Sequence, residues 1–412
     1  MLQRPPGVRL KVVINSASAK VGGAVTYLAS LLQHLPPPES GHQFIVFLPE
    51  ATEEAASRVN RNIQLHPLAE RKQNGWRRIW WEQVTLRRFL IEEQVDVLYS
   101  AGNFGMLRCP VRQILLVHNA LYFSRIYERM FVKRHRLGMR IARRLRRWLV
   151  CQSVKSADVV MTPTQTMLDE LRKYIEIPPG RALVNPYGVT ESFEPAGRDI
   201  FGSGLGREGS PVRFLYVSLY AEHKDLTTLL KALPLLNGNG GRKFMLETTV
   251  NPAWEGARWT LSYQNDIDLS RRPDIAPWVR IVGPLERQEA QALYRRTDIF
   301  VFPSLTESFG HPLAEAMAHG LPIVASDTPV NREICGEAAV YFRPLSPEDL
   351  ATRLCGLARN GALRARLSAQ GRHRARLHFR WATHVDRILA ALQAPPTRTE
   401  ECQPALTLAS CD

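Results

Sequence analysis

Two glutamates, Glu307 and Glu315, stand on either side of a predicted helix start. The short apolar run 298–303 has the length and composition of a buried strand, and the polar, glycine-terminated segment after it is typical of a loop. Pro312 fits the first turn of a helix, because its missing N–H would have no intrahelical partner there. We therefore expect Glu307 in the loop and Glu315 about one turn into the helix, near the carboxyl edge of a sheet.

A helix that starts here could bind a phosphate, since helix starts carry unpaired N–H groups and a partial positive charge. A carboxylate just inside such a helix can accept two ribose hydroxyls, and a carboxylate in the loop can accept hydroxyls of a hexose. A nucleotide sugar has ribose, diphosphate and hexose in that order. The alternative is a buried strand–helix unit with two solvated carboxylates, and a glutamate pair alone does not decide between them. The free N–H donors would come from Phe309, Gly310, His311 and Leu313.

The segment 307–322 closely resembles the Glu-x7-Glu signature of the retaining glycosyltransferases of family 4, which have the GT-B fold. The similarity continues through 327–342 and extends, more thinly, over nearly the whole chain. It implies an α/β protein with two Rossmann-like parallel-sheet domains facing a cleft, and a C-terminal helix that crosses back to the first domain.

The resemblance also implies roles for individual residues. Glu315 would hold the ribose and Glu307 the donor sugar. The backbone from Phe309 through Gly310 to His311 would contact the sugar and the β-phosphate. The motif is specific for the family, but it says little about which sugar is transferred.

Lys224 lies in the loop where family members place a phosphate-binding lysine. A lysine at a helix start could direct its ammonium group and backbone donors at one diphosphate, although a plain surface lysine is the alternative. Family members commonly have an arginine five residues earlier, and here that position is Leu219. Either another basic residue replaces the arginine, or donor binding is weaker, or the chain belongs to a subgroup that uses Lys224 alone. The surrounding sequence favours the last.

Four further residues in the first half could line the same cleft. Gly22 and Gly23 follow the first predicted strand and open a helix, where they could admit a phosphate or simply form a tight turn. The resemblance places the matching loop against the donor phosphate or the acceptor. His118 ends a strand, and the resemblance assigns it to positioning the donor sugar, without a role as a base. Asn103 is a weaker candidate for the acceptor side.

Composition restricts the class of protein. A chain of 412 residues is long enough for two or three domains. No apolar run reaches the roughly 18 residues that a membrane span requires, and the N-terminus lacks the apolar core of a secretory signal. The six cysteines form no C-x-x-C pair and no zinc-type spacing, which favours a reduced, cytosolic compartment and argues against a metal site. We expect no metal and no organic cofactor, only a nucleotide-sugar donor as substrate.

The net charge of +15 is concentrated in one segment. Between Arg125 and Arg147 there are ten basic residues and one acid, Glu128, with apolar residues interleaved at roughly helical spacing. A basic amphipathic helix with an interfacial Trp could lie on an anionic membrane surface. The alternative is a solvated helix packed through its Leu/Ile face. Nucleic acid is not expected as a partner, because no zinc-finger, RRM or KH pattern accompanies the charge.

The order of the elements is repeatedly strand then helix, which predicts parallel sheets. The expected domains are an acceptor-binding domain (1–189), a linker (190–211) and a nucleotide-sugar-binding domain (212–377). A crossover helix (378–393) and a disordered tail (394–412) would follow. In the second domain we also expect a helix that opens at Lys224-Asp225 and is stopped by Pro234.

These observations favour a retaining hexosyltransferase that moves a sugar from a UDP- or GDP-linked donor to an acceptor hydroxyl. A lipid-linked glycan in envelope polysaccharide or lipopolysaccharide biosynthesis is the preferred acceptor. The enzyme would be cytoplasmic, on the inner face of the membrane. Two alternatives stay open: a nucleotide-sugar epimerase of the same fold, and a non-catalytic glycan- or membrane-binding relative, which Leu219 would favour.

Overall fold

The computed structural model describes residues 9–20, 22–53, 59–69, 75–132, 137–189, 211–238, 241–250, 261–283, 285 and 287–394. The predicted linker and the predicted tail lie almost entirely outside the described residues. Their boundaries, and those of the domains, stay predictions.

The first half of the chain forms a seven-stranded sheet in which every pair of neighbouring strands is parallel. Its strand order is β3-β2-β1-β4-β5-β6-β7. The strands are β1 (Lys11–Asn15), β2 (Gln43–Pro49), β3 (Ile63–Leu68), β4 (Val97–Ser100), β5 (Arg112–Leu116), β6 (Val159–Thr162) and β7 (Ala182–Val184). The helices are α1 (Gly23–His34), α2 (Gly75–Trp80), α3 (Leu86–Glu92), α4 (Arg125–Met130), α5 (Leu137–Ser156) and α6 (Gln165–Arg172), with a π-helical turn, Trp81–Thr85, between α2 and α3.

The second half forms a six-stranded parallel sheet of order β10-β9-β8-β11-β12-β13. Its strands are β8 (Val212–Tyr216), β9 (Phe244–Thr248), β10 (Val279–Ile281), β11 (Ile299–Phe302), β12 (Ile323–Ser326) and β13 (Ala339–Phe342). Its helices are α7 (Leu226–Asn237), α8 (Leu261–Ser270), α9 (Arg287–Arg296), α10 (His311–Ala318), α11 (Pro329–Cys335), α12 (Pro347–Arg359) and α13 (Gly361–His378), followed by α14 (Trp381–Gln393).

Both sheets reverse their strand order once, between β1 and β4 in the first and between β8 and β11 in the second. In parallel α/β sheets, ligands bind outside the carboxyl ends of the strands at such a switch point. The loops that carry the predicted site residues all leave these carboxyl ends. The fold therefore directs both sets of loops to ligand-binding positions.

Helix α14 crosses back to the first half, as expected for the GT-B fold. Its buried Val385 and Ile388 belong to the same hydrophobic core as Leu31 of α1. The side-chain amide of Asn185 donates a hydrogen bond of 3.0 Å to the backbone oxygen of His384 in α14. Two parallel-sheet domains and this crossover helix confirm the predicted fold class.

The prediction that Pro234 stops a helix was wrong. Helix α7 runs from Leu226 to Asn237 with Pro234 inside it, and Asp225, in the left-handed conformation, caps its start through Thr228 N. Leu233 and Leu236 on either side of the proline are both buried. Packing of this apolar face offsets the loss of one backbone donor at the proline.

The basic segment also differs from the single helix expected. It contains α4 and the start of α5, with 133–136 between them outside the described residues. Across the described residues, no helix combines the length and apolarity needed to span a membrane.

Candidate active site

A cavity of about 640 Å³ lies between the two halves of the molecule, where the loops from the two switch points meet. All nine predicted site residues line it, together with Asn103 and Leu219. The nine are Gly22, Gly23, His118, Lys224, Glu307, Phe309, Gly310, His311 and Glu315. The fold therefore brings residues from four separate connections, after β1, β5, β8 and β11, into one site, while their roles stay predictions.

Helix α10 begins at this cavity. Gly310 precedes it with a φ of 84°, a left-handed conformation that glycine adopts without steric cost. A Cβ at this position would also lie 3.3 Å from Leu313 Cδ1, so the turn has little room for a side chain. Pro312 occupies the first turn, as the sequence predicted. The cavity thus meets a helix N-terminus whose partial positive charge suits an anion.

Lys224 and Glu307 form an ion pair across the site. The Lys224 ammonium donates to Glu307 Oε1, and the Ser304 hydroxyl donates to the same oxygen at 2.7 Å. The Lys224 side chain is 21% exposed and that of Glu307 is 11% exposed, so the lysine points into the cleft and not into bulk solvent. Burial alone would raise the pKa of Glu307, but Lys224, His223 and Ser304 outweigh it and hold this pKa below its usual range. Glu307 is therefore a carboxylate at neutral pH.

Glu315 has a partner that the sequence did not predict. The hydroxyl of Tyr294, on α9, donates a 2.8 Å hydrogen bond to Glu315 Oε2. Burial first, and the Glu315 charge second, raise the pKa of Tyr294 far above its usual value, so the phenol keeps its proton. The ring of His319 stacks on the Tyr294 ring, with centroids 4.9 Å apart. Packing of α9 on α10 therefore fixes the orientation of the Glu315 carboxylate.

Tyr187 joins the two sides of the cleft. Its hydroxyl lies 3.3 Å from His118 Nδ1, and its ring stacks on His311 with centroids 4.9 Å apart and planes 6° apart. Burial lowers the pKa of His118 and of His311 to about 4. Both rings are therefore neutral at pH 7 and can donate or accept hydrogen bonds, but they do not supply positive charge.

Asn103 holds the His118 loop in place. Its side-chain oxygen accepts hydrogen bonds from the backbone N–H groups of His118 and Asn119, both at 2.8 Å. Asn103 itself has a φ of 61°, which asparagine tolerates better than most residues. Asn103, which the sequence suggested for the acceptor side, thus positions the His118 loop, and the sequence did not reveal this contact.

The Gly22-Gly23 turn lies close to residues of the second half. Gly22 has a φ of 60°, and a Cβ there would lie 3.0 Å from Leu219 Cδ1. A Cβ on Gly23 would lie 3.7 Å from the His311 ring. The glycines therefore allow the first half to approach the second closely, while the phosphate contact expected of them stays a prediction.

Leu219 places an apolar side chain in the cleft where an arginine was the expected residue. Of the described residues that line the cavity, Lys224 is the one Lys or Arg, and Glu307 and Glu315 are the two acids. The described part of the chain contains no group of three or more His, Cys, Asp or Glu that could hold a metal ion. Among the described lining residues, Lys224 and the α10 helix start are thus the positively charged features that an anionic ligand could meet.

Sequence reasoning missed Tyr187, Tyr294 and the contacts that join the two halves. Ser124 and Thr306 share a 2.9 Å hydrogen bond, and Thr164 donates one of 2.8 Å to the backbone oxygen of Ser308. None of these residues has a distinctive local spacing. The approach of the two halves brings Tyr187, Ser124 and Thr164 to their partners, whereas Tyr294 meets Glu315 through packing within the second half.

Comparisons with known proteins agree with this geometry. The family model described as Glycosyltransferase Family 4 matches residues 21–193, and the model described as Glycosyl transferases group 1 matches residues 211–360. Together the two matches cover most of the chain.

Curated relatives are similar over part of their length. A glycogen synthase of Mycobacterium tuberculosis is 29% identical over 265 residues, which are 63% of this chain and 59% of the relative. An O-antigen chain mannosyltransferase B of Escherichia coli is 23% identical over 236 residues, 56% of this chain and 59% of the relative. The chain therefore spans less than two thirds of the length of these relatives.

Among solved structures, HepE of Anabaena in complex with UDP and glucose superposes with a TM-score of 0.70. The sequence identity is 15%, and the superposition covers 94% of this chain and 100% of that chain. At this identity the likeness supports the fold alone.

Proposed function

The chain belongs to the group 1 glycosyltransferases, also described as family 4, and from that premise we propose a function for it. It transfers a sugar from a nucleoside diphosphate sugar to an acceptor hydroxyl, with retention of the anomeric configuration. One observation carries the proposal: Lys224, Glu307, Glu315 and the start of α10 line one cavity at the second switch point.

The donor is held by groups of complementary chemistry. Glu315, oriented by Tyr294, accepts the ribose hydroxyls, and the α10 start receives the diphosphate. Glu307 is charged, so it accepts hydroxyls of the donor sugar. HepE, a structural neighbour, binds UDP and glucose, and that pairing agrees with a nucleotide-sugar donor here.

Bond breaking places negative charge on the leaving diphosphate. The bond from the anomeric carbon to the phosphate oxygen breaks, and its electron pair moves to that oxygen. Lys224 and the α10 N–H groups stabilise this charge, which is the main contribution of the protein to the rate. The acceptor hydroxyl attacks from the same face of the sugar and gives its proton to the leaving phosphate oxygen. His118, neutral at pH 7, positions the sugar and does not act as a base.

For the acceptor we propose a lipid-linked glycan used in building an envelope polysaccharide. The E. coli relative is an O-antigen chain mannosyltransferase, which agrees with that class. The apolar residues of α5 favour a lipid-side acceptor as well, because they are exposed: Leu137 at 68%, Ile141 at 56% and Trp148 at 54%. A solvated helix packed through its Leu/Ile face would bury them. The enzyme would then work at the inner face of the cytoplasmic membrane.

The test is nucleotide release by the purified protein from a panel of UDP- and GDP-sugars, with and without acceptor. We expect release with at least one donor and a large loss in Glu315→Ala. The matched control is Glu39→Ala, which removes an exposed glutamate outside the cavity. Absence of release with every donor, from protein that is folded, would contradict the proposal.

Leu219 favours a second candidate, a relative that binds glycans without transferring them. The cavity has one cationic side chain among its described lining residues, and that side chain is already paired with Glu307. Nucleotide binding distinguishes the two candidates, because the non-catalytic relative would bind neither UDP nor GDP.

A further inference from the structure

Two sets of helices cover the same face of the first sheet. Val13 of β1 pairs with Leu98 of β4, and Ser100, two residues on, pairs with Leu115 of β5. Because alternate residues of a strand share a face, Val13, Leu98 and Leu115 all lie on one side. Val13 and Leu98 pack with residues of the π-turn and α3, and Leu115 packs with residues of α5. The α2–α3 segment and α5 therefore cover the same face of the sheet, and their outward sides point away from that face.

Both sets expose large apolar side chains on those outward sides. On α5, positions 137, 141, 145 and 148 recur at the three- and four-residue spacing that forms one helical stripe. The segment from α2 to α3 repeats the arrangement, with Trp80 at 62% exposure. Two tryptophans, one in each stripe, are thus more than half exposed. The apolar residues are Leu137, Ile141, Leu145 and Trp148 on α5, and Trp80, Val84 and Ile91 on α2, the π-turn and α3.

The same surface carries exposed positive charge. Arg144 and Arg146 flank the α5 stripe, and Arg77 and Arg88 flank the stripe on α2–α3. Arg143 behaves differently, since it is buried and donates to the backbone oxygens of Leu121 and Tyr122. Arg143 therefore anchors α5 to the first half, and the outward side of the helix stays exposed.

A loop from the cleft joins the two stripes. Gln83, in the π-turn, donates to the backbone oxygen of Gly105 at 3.3 Å and accepts from Leu107 N at 2.9 Å. Ser153, on α5, also reaches the Gly105 oxygen, at 3.5 Å. This loop begins at Asn103, which lines the cavity. The surface therefore borders the acceptor side of the cleft.

We propose that α2–α3 and α5 form a single, two-part docking surface for an anionic lipid bilayer. Apolar side chains with interfacial tryptophans enter the headgroup region, and the flanking arginines meet lipid phosphates. The second part, around Trp80, lies outside the basic segment that the sequence singled out. A surface of this kind beside the acceptor loops lets a lipid-linked acceptor reach the cleft while its tail stays in the bilayer, a role that rests on the proposed function.

The test is flotation of the purified full chain with vesicles of phosphatidylglycerol and phosphatidylcholine, compared with phosphatidylcholine alone. We expect binding to the anionic vesicles, weakened about tenfold by Trp80→Ser and by Trp148→Ser, and further by the double variant. Replacing Arg88 or Arg144 by Gln should weaken binding about fivefold each. The matched control is Leu377→Ser, which removes an apolar side chain of 58% exposure from α13.

Two outcomes would overturn the proposal. If Trp80→Ser floats like Leu377→Ser while Trp148→Ser does not, the surface is confined to α5. If only the arginine substitutions weaken vesicle binding, and heparin abolishes that binding, the surface binds polyanions and not a bilayer. Nucleotide release without vesicles is measured on the same samples. Vesicle binding without nucleotide release would contradict the proposed function and leave the docking surface intact. Nucleotide release without vesicle binding would contradict the docking surface and leave the proposed transfer reaction intact.

Discussion

The Tyr294–Glu315 hydrogen bond shows how packing completes a site that the sequence outlines. The spacing of Glu307 and Glu315 and the helix start at Pro312 follow from local rules, and the structure places them as predicted. Tyr294 belongs to a separate helix, 21 residues before its partner. A local pattern cannot reveal that α9 packs against α10, so this residue could not be predicted.

Removing this one hydroxyl should weaken donor binding. In Tyr294→Phe, the Glu315 carboxylate loses a buried donor worth roughly 1.5–3 kcal/mol and its fixed orientation. We expect the KM for the donor to rise about tenfold or more, with a smaller change in kcat. Steady-state kinetics with varied donor measure this.

The control for this variant is Tyr341→Phe, which loses a 2.7 Å hydrogen bond to Gly336 O elsewhere in the domain. Equal donor KM values for Tyr294→Phe and the wild-type protein would show that Glu315 does not depend on the phenol.

Lys224 should act on the chemical step. Lys224→Gln keeps a polar side chain but removes the charge that we propose faces the leaving diphosphate. We expect kcat to fall by about 100-fold to 1,000-fold, the usual effect of losing one preorganised electrostatic contact. Lys173→Gln is the control, because Lys173 lies on the exposed side of the first half and pairs with Glu170. Retention of kcat in Lys224→Gln would exclude this role.

Among the helices, those with clear caps and strong periodicity were predictable. Helix α14 spans Trp381–Gln393, inside the predicted crossover segment 378–393, and Ser346 caps α12 by accepting a hydrogen bond from Asp349 N. The prediction that a helix ends at Pro234 failed because it considered only the backbone, whereas burial of Leu233 and Leu236 keeps α7 intact. The outward apolar side of α5 was not predictable either, since periodicity shows that a stripe exists but not which way it faces.

Helix α14 is attached to the first half partly through His384. This ring bridges the Tyr27 hydroxyl (3.1 Å) and the backbone oxygen of Pro186 (2.9 Å). Burial lowers its pKa from 6.5 to about 4. In the unfolded chain the ring takes up a proton below about pH 6.5, while the folded protein resists it until about pH 4. The stability that depends on the neutral ring is therefore present above pH 6.5 and is lost as the pH falls towards 4.

His384→Gln should flatten this dependence. Between pH 6.5 and 4.5, the free energy of unfolding should fall less steeply with acidification than in the wild-type protein, by up to about 1.4 kcal/mol per pH unit. Guanidinium unfolding at several pH values, followed by tryptophan fluorescence, measures the slope. The slope is compared, and not the stability at one pH, because the substitution also removes two hydrogen bonds. Equal slopes for the variant and the wild-type protein would mean that the pKa of His384 is not lowered in the folded protein.

For the molecule as a whole, the sequence predicted two parallel-sheet domains and a crossover helix, because strand–helix alternation and the family motif are both strong signals. It did not predict how the halves meet. Glu333, on α11, accepts hydrogen bonds from the backbone N–H groups of Gln165 (2.6 Å) and Thr166 (2.7 Å). A carboxylate from the second half thus caps α6 in the first, which ties the two halves together.

Loss of this cap should open the molecule. We expect Glu333→Ala to have a larger radius of gyration in solution scattering and a lower kcat, since closure excludes water and brings acceptor to donor. The exposed neighbour Glu337 supplies the control, Glu337→Ala. A Glu333→Ala protein with unchanged scattering would show that other contacts suffice to keep the halves together.

The most direct measurement is the dissociation constant of UDP and of GDP by isothermal titration calorimetry. It compares the wild-type protein with Glu315→Ala, Lys224→Gln and the control Lys173→Gln. We expect one nucleotide to bind the wild-type protein and the control equally, and to bind each of the two cleft variants at least about tenfold more weakly. Equal affinity for all four proteins, or no affinity for either nucleotide, would contradict a donor site built from Lys224, Glu307, Glu315 and the start of α10.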